Sequence, residues 1–183
     1  TRPEPLHGIG AIALQRGDTT TARQLMQESL TLDASFFPAY AALAQTAREA
    51  GDLRGAIEYL RVLVQFYPRH AYTLALASVL REAGPEYHAE AMRVLQPMLA
   101  MPHAGAWTEQ GRIERDAGQL EQAIASLTTA AQMRQGSYSA EAQFELGLLH
   151  IQRGEHAAAE RNLHNATRHG NERTRLYAHL ALA

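Results

Sequence analysis

The chain has 183 residues, 46% of them hydrophobic and 20% charged, with a net charge of −2. That composition suits an ordered, packed chain, gives no general attraction to nucleic acid, and contains no apolar run near the roughly 18 residues a membrane span needs. Cysteine is absent and all 17 basic residues are arginine, which excludes disulfides, thiolate nucleophiles, cysteine metal sites, a phosphate-loop lysine and a Schiff-base lysine.

In chain order, the first helical stretch carries Gly10 and ends at Gly17-Asp18, after which Ala22, Met26 and Ser29 mark a second. Tyr40, Leu43, Ala44 and Ala47 then recur at the 3, 4 and 7 spacing of one helix face, and Gly51-Asp52 breaks that helix. Ala56, Ile57, Leu60, Leu63 and Val64 form the next apolar stripe, closed by Pro68. The third stretch turns at Gly84-Pro85-Glu86, and Pro97 falls inside its second helix. A kinked or shortened helix is expected there, ended by Pro102. Trp107 and Gly111, the turn at Gly118, then Ala123, Leu127 and Ala130 repeat the pattern. So do Leu146 and Gly147, the turn at Gly154, then Ala159, Leu163 and Ala166, before Tyr177, Leu180 and Ala181 begin it again.

The breaker dipeptides, ending with Gly118-Gln119 and Gly154-Glu155, recur every 33–36 residues. Regular recurrence means one helix–turn–helix unit copied along the chain. Small residues at Gly10, Ala44, Ser78, Gly111 and Gly147, and at Ala22, Ala56, Ala91, Ala123 and Ala159, are expected where paired helices approach most closely. Tyr40, Trp107 and Tyr177 are expected to fill the gaps between units. The prediction is about eleven helices and no strand.

The order of a large residue, Leu with a small residue, a turn, Ala, a bulky residue and Pro resembles the tetratricopeptide repeat. The resemblance is to a bacterial array of five repeats plus one extra helix. It implies an all-α, right-handed superhelical solenoid of antiparallel helix pairs, a single array over 3–183. Its units would be about 3–36, 37–70, 71–103, 104–137 and 138–171, with a terminal helix at 172–183. That helix cannot turn Leu176, Leu180 and Leu182 inward together, so the chain is expected to be a fragment or to contact another molecule there.

The resemblance further implies a concave groove lined by first helices that holds a partner peptide or helix, a protein-interaction scaffold rather than an enzyme. The groove candidates are Gln45 and Arg48 in the second unit, then Tyr72, Leu76 and Val79 in the third. Glu109, Arg112 and Arg115 follow in the fourth, and Phe144, Leu148 and Ile151 in the fifth. Tyr72, Leu76, Phe144 and Leu148 are expected as apolar anchors, with Arg112 and Arg115 pairing with a partner's acids. The Lys/Asn clamp of chaperone-tail binders is missing, because His7, Ala11, Ala42, Tyr72 and Leu76 stand at its positions. The asparagine ladder of arrays fused to O-linked sugar transferases is missing as well, with Gly8, Ala42, Leu76, Glu109 and Glu145 in its place.

Two other readings stay open. The stretch Pro5–Gly17 is similar to the first repeat of proteobacterial arrays joined to sulfotransferase, glycosyltransferase or dioxygenase domains, which would make this a regulatory or substrate-presenting arm. Self-association through the end helices would make it an oligomerisation module. No cofactor or metal is expected. The nine histidines form no HExxH and no i, i+4 pair, and His150 reads as a packed, hydrogen-bonded residue. The basic cluster of Arg161, His164 and Arg168 lacks the interleaved aromatics that stack bases, so no nucleic acid is expected and a solvated outer face is the simpler reading. Asn165-Ala166-Thr167 matches a glycosylation sequon by chance. The compartment stays open, with the cytoplasm slightly favoured over the periplasm.

Overall fold

The computed structural model describes residues 2–182. Eleven α-helices and one short 3-10 turn account for the secondary structure, with no strand among the described residues. The contacts divide the chain into two compact units, Thr1–Gly84 and Pro85–Ala183. The division falls at the lengthened turn of the third repeat, so the two helices of that repeat belong to different units.

The first unit holds α1 (Pro3–Gln15), α2 (Thr19–Leu32), α3 (Phe37–Glu49), α4 (Leu53–Phe66) and α5 (His70–Ala83). The Gly-Asp dipeptides do two jobs here. Gly51 has φ +77°, the left-handed conformation that ends a helix without a Cβ penalty. Asp52 then accepts from Gly55 N at 3.0 Å, as Asp18 accepts from Thr21 N at 3.0 Å, satisfying an orphan donor of the next helix. Met26, Ala39 and Leu43 form a core cluster flanked by Leu14, Phe36 and Tyr59, and Leu63 and Leu80 are also fully buried.

The second unit opens with the 3-10 turn Pro85–Tyr87, followed by α6 (His88–Leu99), α7 (Ala104–Asp116), α8 (Leu120–Gln132), α9 (Gly136–Gln152), α10 (His156–His169) and α11 (Glu172–Leu182). The sequence leads to a kinked or shortened helix around Pro97, ended by Pro102; α6 is short, runs through Pro97 and stops at Leu99. A proline in the last turn removes only one bond of the ladder, and α6 is shortened to 12 residues rather than interrupted. Ala123, Leu127, Ala130, Ala142, Leu146 and Leu149 form the main cluster, with Trp107 packed against it. A second cluster joins Leu163, Ala166 and Ala178 to Phe144, Ala181 and Leu182. Only part of α11 docks: Leu176 and Leu180 stay 57% and 64% exposed. Tyr177, expected to fill a gap between units, is half exposed instead and tilts beside Phe144 with ring centroids 6.3 Å apart.

The small-residue sites are close approaches in fact. A Cβ on Gly111 would lie 2.6 Å from Leu127 Cγ, and one on Gly147 would lie 2.6 Å from Leu163 Cγ. Each is a first helix pressed onto its own second helix, at equivalent points of successive repeats. Packing there outweighs the ~1 kcal/mol that glycine costs within a helix. The α7–α8 pair is also held by a buried carboxylate, Glu114, which accepts from Ser126 Oγ at 2.6 Å and from Gln110 Nε2 at 2.7 Å.

Candidate functional site: the first-helix faces of the two units

In the first unit, the facing helices α3 and α5 carry short side chains where they meet. Ala41, Ala44, Ala71 and Ala75 leave a pocket of about 220 Å³, with Leu60 of α4 beneath and Gln45, Arg48 and Tyr72 also lining it. Four of the five candidates in this unit are thus brought together: Gln45, Arg48, Tyr72 and Val79. Val79 has no exposed surface, and Leu76 is 2% exposed. Leu76 therefore cannot be the surface anchor expected from the sequence. Both positions turn toward the body of the unit, where burial of an aliphatic side chain contributes roughly 1.5–3 kcal/mol. Arg48 reaches across one repeat, donating through Nε to Glu82 Oε2 at 3.0 Å and through Nη2 to Ser78 Oγ at 3.2 Å. Gln45 donates to Glu49 on its own helix.

In the second unit, α7 and α9 are cross-linked by an ion-pair network. Arg112 donates to Glu145 Oε1 at 2.8 Å, and its Nη atoms lie 3.3 Å from Glu109 Oε2 and 3.3 Å from Glu141 Oε2. Arg115 bonds the other oxygen of Glu145 and also Asp116. Burial alone favours a neutral guanidine at Arg112. The attraction of Glu145, Glu109 and Glu141 outweighs it and moves the group above its ordinary value, so Arg112 is permanently charged. Glu109 is itself buried, at 4% exposure. The two arginines expected to reach a partner's acids already bond the protein's own carboxylates.

Beyond the network, Leu148 and Ile151 are 36% and 41% exposed, while Phe144 is partly buried against the Leu163 cluster. The apolar stripe expected on α9 is present, and Tyr177 extends it. Sequence reasoning missed Glu141 and Tyr177 as contributors, while Glu145 reads as a groove position without its arginine partners. Glu141 lies four residues before Glu145, a spacing that puts both on one helix face. Nothing local to α9 says that the face meets Arg112.

Elsewhere, His150 Nδ1 lies 2.5 Å from Glu155 Oε2, so this histidine is hydrogen-bonded as read from the sequence. Arg161, His164 and Arg168 are exposed on α10. Among the described residues no three His, Asp or Glu side chains are grouped to hold a metal ion, and no helix is long and apolar enough to cross a membrane.

Sequence profiles described as tetratricopeptide repeat match residues 40–70 and residues 108–166. Solved structures of repeat proteins share the fold. TTC0263, a thermophilic TPR protein of Thermus thermophilus, is 21% identical with a TM-score of 0.71, covering 98% of each chain. MamA from Desulfovibrio magneticus RS-1 is 17% identical with a TM-score of 0.70, covering 91% of this chain and 93% of its own. YrrB, described as a TPR protein with an unusual peptide-binding site, is 17% identical with a TM-score of 0.62, covering 96% and 91%. No curated protein matches the sequence. Small residues at the helix crossings, left-handed glycines at the turns and the two profile matches converge: the chain belongs to the tetratricopeptide-repeat family.

Proposed function

We propose that the chain is a protein-interaction scaffold whose first-helix faces hold segments of a partner protein. The observation that carries this reading is the notch between α3 and α5. At about 220 Å³ it falls below the 300–1,000 Å³ typical of small-molecule sites and suits one inserted side chain. Its walls are alanines, and its rim offers Gln45, Arg48 and Tyr72 for a peptide main chain. Tyr72 is the anchor of this unit in place of Leu76. In the second unit, Phe144, Leu148 and Ile151 offer an apolar stripe, and Arg112 and Arg115 stiffen the wall beside it. YrrB, with the same fold, is described by a peptide-binding site.

The test is selection of dodecapeptides from a displayed random library on the immobilised chain, followed by amide chemical-shift mapping of the selected peptides. Shifts concentrated on Gln45, Arg48 and Tyr72, or on Phe144, Leu148 and Ile151, support the reading. Truncating a genuine anchor such as Tyr72 to Ala costs about 2 kcal/mol, roughly 30-fold in affinity. Shifts confined to Arg161, His164 and Arg168 overturn it.

Self-association has its own observation: Leu176 and Leu180 share an exposed face of α11, as Ile9 and Ile12 are exposed on α1. Sedimentation equilibrium with Leu180→Asp decides that reading. A concentration-dependent dimer that this substitution abolishes supports it.

A further inference from the structure

A second cavity lies away from the first-helix face. It opens where the C-terminal ends of α8 and α10 flank the beginning of α9, with a volume of about 610 Å³, inside the range of sites that bury a ligand. Gln143 lines it from α9. Helix periodicity places this residue on the opposite side of α9 from Glu141 and Glu145, two residues before and after it. The cleft is therefore separate from the ion-pair network.

Its polar groups are unlike those of the groove. Among the described residues, the side chains of Arg134, Asn165 and His169 line the cleft and engage no other part of the protein. Gln143 Oε1 is the buried side-chain polar atom without a hydrogen-bond partner among the same residues. No carboxylate is among the residues that line the cleft. On the first-helix faces, by contrast, Arg48, Arg112 and Arg115 all bond carboxylates of their own unit. Arg134 is also the non-glycine residue with positive φ among those described, at +51°, in the connection from α8 to α9. An L side chain is disfavoured in that conformation.

We infer that this cleft binds an acidic peptide segment of a partner protein. The segment's carboxylates pair with Arg134 and His169, and its main-chain N–H donates to Gln143 Oε1. Both sets of groups select the same ligand. Two cationic or protonatable groups in a cleft lined by no acid call for an anion, and guanidinium–carboxylate bonds are strong and directional. A buried, unpartnered carbonyl oxygen needs a donor, which a carboxylate ion lacks and a peptide backbone supplies beside its acidic side chains; phosphate, which keeps a P–OH donor near neutral pH, is therefore a control.

The test uses the whole 15N-labelled chain and a defined probe, the blocked pentapeptide acetyl-Gly-Asp-Glu-Asp-Gly-amide. The controls are the same peptide with Asn and Gln for its acids, and inorganic phosphate. Expected are saturable amide shifts at Arg134, Ser139, Gln143, Asn165 and His169, and binding about tenfold weaker for the amide-bearing peptide. Arg134→Gln, His169→Gln and Gln143→Leu should each weaken the probe, while Arg161→Gln, on the same outer helix but away from the cleft, should not. Arg134→Gly separates function from structure: it should raise the melting temperature by relieving the left-handed φ and still lose binding. The inference is overturned by any of three results. One is no saturable shift in the cleft up to about 10 mM probe. A second is shifts centred on Arg112 and Leu148 instead. The third is phosphate matching the peptide with no dependence on Gln143.

Discussion

Arg112 donates through Nε to Glu145 Oε1 at 2.8 Å, joining two first helices one repeat apart. Glu145 is the shared acceptor of Arg112 and Arg115, so one carboxylate fixes two guanidiniums on the neighbouring helix. Removing Arg112 would take the shared guanidinium from between Glu109 and Glu145, both mostly buried, and leave Arg115 on one oxygen of Glu145. Losing one partner of a buried pair costs about 3 kcal/mol, against ~0.5 kcal/mol or less for an ordinary surface substitution. Arg112→Ala is therefore expected to lower Tm by roughly 5–10 °C. Arg161→Ala should barely move it. Equal shifts in differential scanning calorimetry would show the network to be neutral.

The glycine sites give a paired prediction of opposite sign. Gly111→Ala places a Cβ 2.6 Å from Leu127 Cγ and 3.2 Å from the Ala123 carbonyl oxygen. Overpacking of about 1–3 kcal/mol outweighs the ~1 kcal/mol gain in helix propensity, so stability should fall. Gly8→Ala, in α1 with nothing within 4 Å, should instead gain about 0.5–1 kcal/mol. Urea denaturation of the two variants checks both signs.

Acid should weaken the fold through three exposed carboxylates. The side-chain and backbone hydrogen bonds of Thr21 hold Asp18 below its ordinary value, those of Ser35 do the same for Asp33, and the bond from His150 does so for Glu155. A depressed folded-state value means that the unfolded chain binds more protons, so stability rises with pH across this range. The contribution is complete above the unfolded value near 4 and is lost as pH falls through the folded values below it. Asp18→Asn keeps an N-cap of nearly equal quality but cannot titrate. The gap between wild type and this variant in urea midpoint should be present at pH 7 and narrow progressively as pH falls below about 4.

Docking of α11 rests on few side chains. Ala178 is fully buried against Leu163 and Ala166, and Thr174 N donates to the capping oxygen of Asn171, Oδ1, at 2.8 Å. Amide exchange along 174–182 should be slower than in the short connection at 101–103. Ala178→Glu buries an unpartnered carboxylate, and is expected to bring exchange in α11 to the rate of an undocked segment while α7 and α8 keep their protection.

The parts legible in the sequence are those set by spacing within one helix pair. Gly111 and Gly147 mark where helices touch because no other residue fits, and Gly51-Asp52 marks a turn because glycine tolerates the left-handed conformation and aspartate caps the next helix. Side-chain direction is less legible. Leu76 satisfies a groove register and a core register at once, and only packing decides that it turns inward. The Arg112 network could not be read because its partners on α9 sit one repeat away, about 30 residues along the chain. Arg134 was hidden for a different reason: its positive φ leaves no mark in an arginine.

Side-chain bonds between repeats share a common reach along the chain. Arg48 and Glu82 are 34 residues apart, Arg112 and Glu145 33, and Thr108 and Tyr138 30. Each such bond closes a loop of about one repeat, and loop-closure entropy changes little between such similar lengths. Folding can start at any helix pair and spread to its neighbour at a nearly constant entropic cost, with a rate governed by local contacts. A chain wired this way can gain or lose whole repeats without lengthening any loop that folding must close.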